Sequence, residues 1–127
     1  MHERLRKYLK ELLGRVTGLD VCFNTANDEV RFPYIVFDIK ELVAEGINKH
    51  ILELTIDAWD RAMAPKNLIA VVDALDKEFR QYKDNTKDFV IQIYNGSARQ
   101  FIPDEDKDIK RLQRRYDVII YLKGDLL

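Results

Sequence analysis

The sequence predicts an α+β fold, a mainly antiparallel four- to five-stranded sheet with two helices packed on one face. Three observations predict it. From Lys49 to Asp60 the chain alternates, with Leu52, Leu54, Ile56 and Ala58 on one side and Glu53, Thr55 and Asp57 on the other. That period gives a strand with one dry and one wet face. From Pro65 to Tyr82, Leu68, Ile69, Val72, Leu75, Asp76 and Phe79 follow helical spacing, and all but Asp76 are apolar. A one-sided strand followed closely by an amphipathic helix is a unit in which the helix covers the sheet. Finally, the order along the chain is helix, short strand, hairpin, helix, strand, strand.

Glu3 to Leu13 is the first predicted helix, with Leu5, Tyr8, Leu9, Leu12 and Leu13 as its stripe and Gly14 as its stop. Gly18 is a second breaker. Val21-Cys22-Phe23 reads as an entry strand, and Asn24 to Arg31 as a polar loop. Pro33 to Leu42 is rich in β-branched and aromatic residues, so it reads as a strand. Pro33 lacks an N–H, which suits a strand start or an edge. The turn at Glu45-Gly46 joins it to the Lys49 strand as a hairpin, long enough to project beyond the sheet. After the second helix, Lys83 to Lys87 is a polar break. Phe89 to Tyr94 is a strand ended by Asn95-Gly96, and Ser97 to Lys107 is an irregular connection. Asp108 to Lys123 is the last strand, its first half polar on both faces and so expected to start outside the core. Gly124 to Leu127 is expected to fray.

At 127 residues the chain is expected to form one domain, residues 1–127, able to bury about two-thirds of its unfolded surface. The formal net charge of −1 gives no global pull toward nucleic acid or anionic membrane. Cys22 is the single cysteine, so no internal disulfide forms and a reducing compartment is expected. No apolar run approaches the roughly 18 residues that span a bilayer. The basic start, Met1 to Lys7, has no apolar segment behind it and reads as helix rather than signal peptide.

Catalytic and metal motifs are weak. Asp104, Asp106 and Asp108 alternate as in a calcium loop, but Ile109 and Arg115 stand where an EF-hand needs Gly and Glu. This is expected to be a solvated acidic loop. Lys110, Arg111, Arg114 and Arg115 form a basic cluster that a strand splits between two faces, so no sequence-specific nucleic-acid binding is expected. His2 and His50 lack partners at zinc-ligand spacing. Cys22 between Val21 and Phe23 reads as a buried hydrophobe. Asp57 and Asp60 point to opposite faces, and Trp59 is expected in the core. No phosphate loop, dinucleotide fingerprint or nucleophile elbow occurs. The reading is no enzyme, no cofactor and no metal.

Several segments carry a resemblance. An N-terminal helix precedes Phe32-Pro33-Tyr34-Ile35-Val36-Phe37, and a long strand ends Asp57-Ala58-Trp59-Asp60. A helix with Ala74-Leu75 follows, then a final strand with Arg115-Tyr116-Asp117-Val118-Ile119. In order and length this resembles the tail terminator, or tail completion, family of long-tailed bacteriophages and prophages, which includes tail-to-head joining proteins. The resemblance covers roughly residues 21–123. It implies a structural subunit that self-associates into a ring, commonly a hexamer. Such a ring caps the tail-tube protein, stops tail polymerisation and docks to the head–tail connector protein. Its setting would be the bacterial host cytoplasm during assembly, then the tail–head junction of the virion. The alternative is a small cytoplasmic bacterial module that binds or regulates proteins without catalysis. For either reading the expected partner interface is Lys40, Glu41, Glu45 and Asn48 at the hairpin tip, with Arg99, Asp104, Glu105 and Asp106 in the late connection. Both segments are long, polar and charged, which suits contacts made only on assembly.

Overall fold

The computed structural model describes residues 2–96 and 99–123, and in it the leucine stripe of the first segment becomes helix α1, His2–Thr17. Leu5, Leu9, Leu12 and Leu13 are buried beneath it. The helix runs through Gly14, where a stop was expected, because an internal glycine costs only about 1 kcal/mol. It ends at Gly18, whose φ of +72° suits a residue without a Cβ. There the Gly18 N–H donates to the Gly14 carbonyl at 2.8 Å.

The strands are β1 (Asp20–Phe23), β2 (Tyr34–Glu45), β3 (Lys49–Arg61), β4 (Tyr82–Asn85), β5 (Phe89–Asn95), β6 (Gln100–Phe101) and β7 (Ile109–Leu122). Helix α2, Lys66–Glu78, joins β3 to β4. The class is α+β as expected, but the sheet has seven strands in the order β1-β2-β3-β7-β5-β4, with β6 also on β7. It is mixed rather than purely antiparallel, because β1 runs parallel to β2. The extra strands are short. Tyr82, expected at the end of the helix, instead pairs with Ile93 in β4. Its hydroxyl is 2.5 Å from that of Tyr8. Tyr8 in turn donates to Asp84 at 2.6 Å. This bridge ties α1 to the β4 edge.

Both helices contribute to one continuous core. Leu5, Leu9 and Leu12 from α1 and Leu68, Val72 and Leu75 from α2 pack with the inward side chains of the sheet. Those inward residues include Leu52, Leu54, Ile56 and Ala58 of β3 and Tyr116, Val118 and Ile120 of β7. The first half of β7 belongs to this core too, since Leu112 and Arg114 are buried. Arg114 is admitted because Asp76 of α2 receives it, as described below. Cys22 is buried, as a small hydrophobe would be. Trp59 is not in the core. Odd-numbered residues of β3 face away from the helices, and Trp59 is half-buried among them.

The hairpin register contains an offset. Glu45 pairs with Lys49 and Val43 with Ile51, but Glu41 pairs with Leu52, so Leu42 is an extra residue in a β-bulge. The hairpin does not project. β7 flanks β3 along its whole length, with Tyr121 opposite Lys49. The Leu122 N–H donates to the Asn48 carbonyl at 2.7 Å, so the turn is level with the end of β7. The expected fraying of Gly124 to Leu127 and the expected irregular backbone at Ser97-Ala98 lie outside the described residues.

Candidate interaction surface

Among the described residues both helices pack on one face of the sheet, and the other face carries no helix. Strand alternation places Tyr34, Val36, Asp38 and Lys40 of β2 on that uncovered face. Glu53, Thr55, Asp57 and Trp59 of β3 and Arg111, Gln113, Arg115 and Asp117 of β7 complete it. Near the hairpin turn the same face becomes apolar, with Val43 opposite Ile51 and Ile51 opposite Ile119.

The edge of the sheet is open on the same side. β1 pairs with β2 only from Tyr34 to Phe37. From Asp38 to Glu45, β2 is paired on its β3 side alone among the described residues. Such a row of backbone donors and acceptors is a template for a further strand. Leu42 and Val43 are about half exposed there (47% and 48%), and Ile47 in the turn is 66% exposed. The polar residues predicted for this tip are exposed as well, but two of them have partners within the chain. Glu41 Oε1 lies 2.6 Å from His50 Nδ1, and Glu45 Oε2 lies 3.2 Å from Lys49 Nζ. Lys40 has no ion-pair partner among the described residues, and Asn48 supplies only its backbone carbonyl.

The late connection is a separate patch. It lies beside the start of β7, where the Ile102 N–H donates to the Arg111 carbonyl at 3.0 Å. The hairpin turn lies at the other end of the same strands, about 40 Å away for a strand of this length. The predicted interface residues therefore fall into two groups that the fold does not bring together. Arg99 is turned inward to α2, with Nη1 2.9 Å from Asp73 Oδ1 and Nη2 2.6 Å from Asp76 Oδ2. Glu105 is exposed. Asp104 accepts the Asp106 N–H at 2.9 Å, and Asp106 accepts from Arg61 Nη1 at 3.0 Å. Hydrogen bonds from the Asp108 backbone and from Arg61 hold the Asp106 carboxyl below its ordinary range. The adjoining recess, about 470 Å³, is lined by Pro65, Phe101, Ile102 and Ile109 together with Lys107 and Lys110.

Asp76 anchors this region from inside. Its Oδ1 accepts from Tyr116 at 2.6 Å and from Arg114 Nε at 2.7 Å, while its Oδ2 accepts from Arg99. Burial works against ionisation of this carboxyl. The bonds from Tyr116, Arg114 and Arg99 outweigh it and hold Asp76 below the usual carboxylate range. Burial, then the bond to Asp76, pushes the Tyr116 phenol up. The arrangement is a structural lock, with Tyr116, Arg114 and Arg99 all donating to one carboxylate.

A second polar group lies on the uncovered face and was not anticipated. Tyr34 and Trp59 are opposite each other on β2 and β3, with ring centroids 6.3 Å apart and planes 18° from parallel. The Arg111 guanidinium lies 4.8 Å from the Trp59 ring centroid. Arg111 Nε and Gln113 Nε2 each donate to Asp57 Oδ1 at 3.0 Å. Val36, itself buried, lies at the back of a notch of about 190 Å³, and the Asn24-Thr25-Ala26 turn walls its outer side. That turn is fixed by the Asn24 N–H donating to the Phe37 carbonyl at 2.9 Å. Asp38, an exposed residue, also lines the notch. Burial, then the charge of Asp57, pushes its carboxyl up.

The fold and this surface define a two-layer α+β protein with one bare sheet face and a half-open sheet edge. No protein-family model matches the chain, and no curated protein matches it.

Proposed function

We propose that this chain is a structural assembly subunit that works by self-association and docking, and that it caps the end of a phage or prophage tail tube. The observation that supports this reading is the half-open β2 edge, Asp38–Glu45, beside a sheet face that neither helix covers. Leu42, Val43 and Ile47 remain exposed along it, which is a poor arrangement for an isolated subunit and a suitable one for a contact with another chain. The two ends of the sheet differ, β1 and the free part of β2 at one end and β4 at the other. A contact between unlike surfaces of successive copies is head-to-tail, and such contacts close into rings when the rotation permits. The order and length of the elements resemble tail terminators, and that resemblance supplies the tube end and the head connector as partners. The residues grouped by the fold offer hydrogen bonds, ion pairs and apolar contact.

The test is to assemble tails with and without the protein and measure their lengths by electron microscopy. Tails of defined length in its presence, and overlong tails in its absence, are expected. Wild-type protein that neither binds tube ends nor limits length would sink the reading.

A further inference from the structure

The outer edge of β1 opens into a groove of about 670 Å³. β1 is paired only with β2 among the described residues, in unbroken register from Asp20 to Phe23. The Asn24 N–H donates to the Phe37 carbonyl on β2. Successive residues of a strand aim their backbone groups at opposite edges. Asp20 and Cys22 therefore also serve β2, and Val21 and Phe23 point away from it. The Phe23 carbonyl is taken by the Thr25 N–H at 2.8 Å. The Val21 N–H and carbonyl and the Phe23 N–H have no hydrogen-bond partner among the described residues. Val21 is nonetheless buried, and shielded backbone groups left unpaired are costly. Neither a proline nor a bulge blunts this edge, whereas the free part of β2 carries the bulge at Leu42.

The groove has the shape of one added strand. α1 forms one wall with Lys7, Lys10, Glu11 and Gly14, a stripe at helical spacing about 10 Å long. That length holds about three extended residues. The loop through Asn27 and Glu29 forms the other wall, and the chain from Leu19 to Cys22 runs along the floor. Pockets for small molecules are lined mainly by apolar side chains, whereas both walls here are polar. An open strand edge recognises a main chain, and the walls beside it select side chains. These walls differ in charge. Neither Lys7 nor Lys10 has an ion-pair partner among the described residues, and the two outnumber Glu11 on the helix side. Asp20 and Glu29 make the loop side acidic, since Asp20 shares the face of Tyr34. Successive side chains of an added strand would point to these two walls in turn.

We propose that an extended segment of a partner protein adds to the β1 edge as a further strand, with an acidic side chain turned toward Lys7 and Lys10. The inference does not rest on tube capping. Failure of the tail-length assay leaves it standing, and its own failure leaves that assay untouched.

The probe is a blocked Thr-Val-Glu-Val-Thr peptide, titrated into the full chain while amide hydrogen exchange is followed residue by residue by NMR. Saturable binding is expected, with a dissociation constant on the order of 0.1 mM. Exchange at the Val21 and Phe23 amides should slow at least about tenfold at saturation. The same peptide N-methylated at its three central residues should not bind, because it cannot donate to the edge. Glutamine in place of its glutamate should weaken binding about threefold, the scale of one exposed ion pair. The double variant Lys7→Glu/Lys10→Glu, with an unchanged circular dichroism spectrum, should prefer the peptide that carries lysine at that position. Absence of saturable binding, equal binding of the N-methylated peptide, or protection on the free part of β2 instead of β1 would overturn the proposal. So would a double variant that still prefers glutamate. Val21 and Phe23 amides protected in concentrated protein alone and released on dilution would also overturn it, by showing that a second copy fills the groove.

Discussion

Asp76 and Asp38 are both carboxylates on elements with an apolar side, and the fold treats them in opposite ways. Asp76 faces the sheet from α2 and is met by Tyr116, Arg114 and Arg99. A carboxyl whose folded-state pKa is lowered contributes stability that is fully present above its unfolded pKa. That contribution is lost as pH falls through the folded value. For Asp76 the loss therefore sets in only below the ordinary carboxylate pKa of about 4. Replacing it with Asn leaves the buried Arg114 guanidinium without its counter-charge. Asp76→Asn should cost about 3 kcal/mol at pH 7, the scale for breaking one partner out of a buried pair. The difference from wild type should stay level down to about pH 4 and shrink below it. Urea unfolding at a series of pH values checks this, and a difference that does not change with pH would remove Asp76 from the ionised lock. Asp38 shows the reverse pattern. Its carboxyl is raised, so its ionisation subtracts stability as pH rises, an effect that water screens at this exposed position.

At the scale of elements, α2 is the piece on which the sheet's dry face depends. Leu68, Val72, Leu75 and Phe79 are fully buried. Phe79 makes an edge contact with Tyr116, at 5.1 Å between ring centroids. Leu75→Ala should therefore cost about 2–5 kcal/mol, from lost burial and the cavity left behind. Chemical denaturation measures it, and a loss below about 1 kcal/mol would place that side chain outside the core. The connection after β5 depends on a different device. A Cβ added at Gly96 would come within 2.7 Å of the Arg115 carbonyl oxygen, so only glycine lets β5 turn away this close to β7. The Gly96 N–H uses that approach to donate to the same carbonyl at 3.1 Å.

For the whole molecule, the hairpin and the late connection sit at opposite ends of one sheet. The hairpin is the place to separate folding from assembly. Reversing Glu41 and Glu45 together removes the contacts with His50 and Lys49, exposed pairs worth about 0–1 kcal/mol each. The double variant Glu41→Lys/Glu45→Lys should therefore fold with nearly wild-type stability. Under the proposed assembly role it should weaken ring formation and tube capping, because charge complementarity sets register and partner choice. Sedimentation of the protein with and without tube protein reads the first, and tail length reads the second. A variant that caps as well as wild type would move the working surface away from the hairpin.

Sequence by itself determined the α+β class, the dry face of β3, the apolar stripe of α2 and the antiparallel hairpin, because each is written in local periodicity. It also marked Asp76 as the one polar residue in that stripe, without its partners. β4 and β6 were not legible, since β4 is polar after Tyr82, without the apolar run that marked β1, and β6 has only two residues. The notch was hidden for a more specific reason. The pairing at the turn, Glu45 opposite Lys49, taken alone would set Tyr34 opposite Asp60, on the core side of β3. The extra residue at Leu42 shifts the register by one, turning Ile35 and Phe37 to the helices and Tyr34 and Asp38 to the bare face. Both strands alternate whichever register they adopt, so period alone does not choose between the two. The tertiary structure chose, because only the bulged register lets Ile35 and Phe37 join Leu54, Ile56 and the helices in one core, and the pairing of Tyr34 with Trp59 follows from that choice.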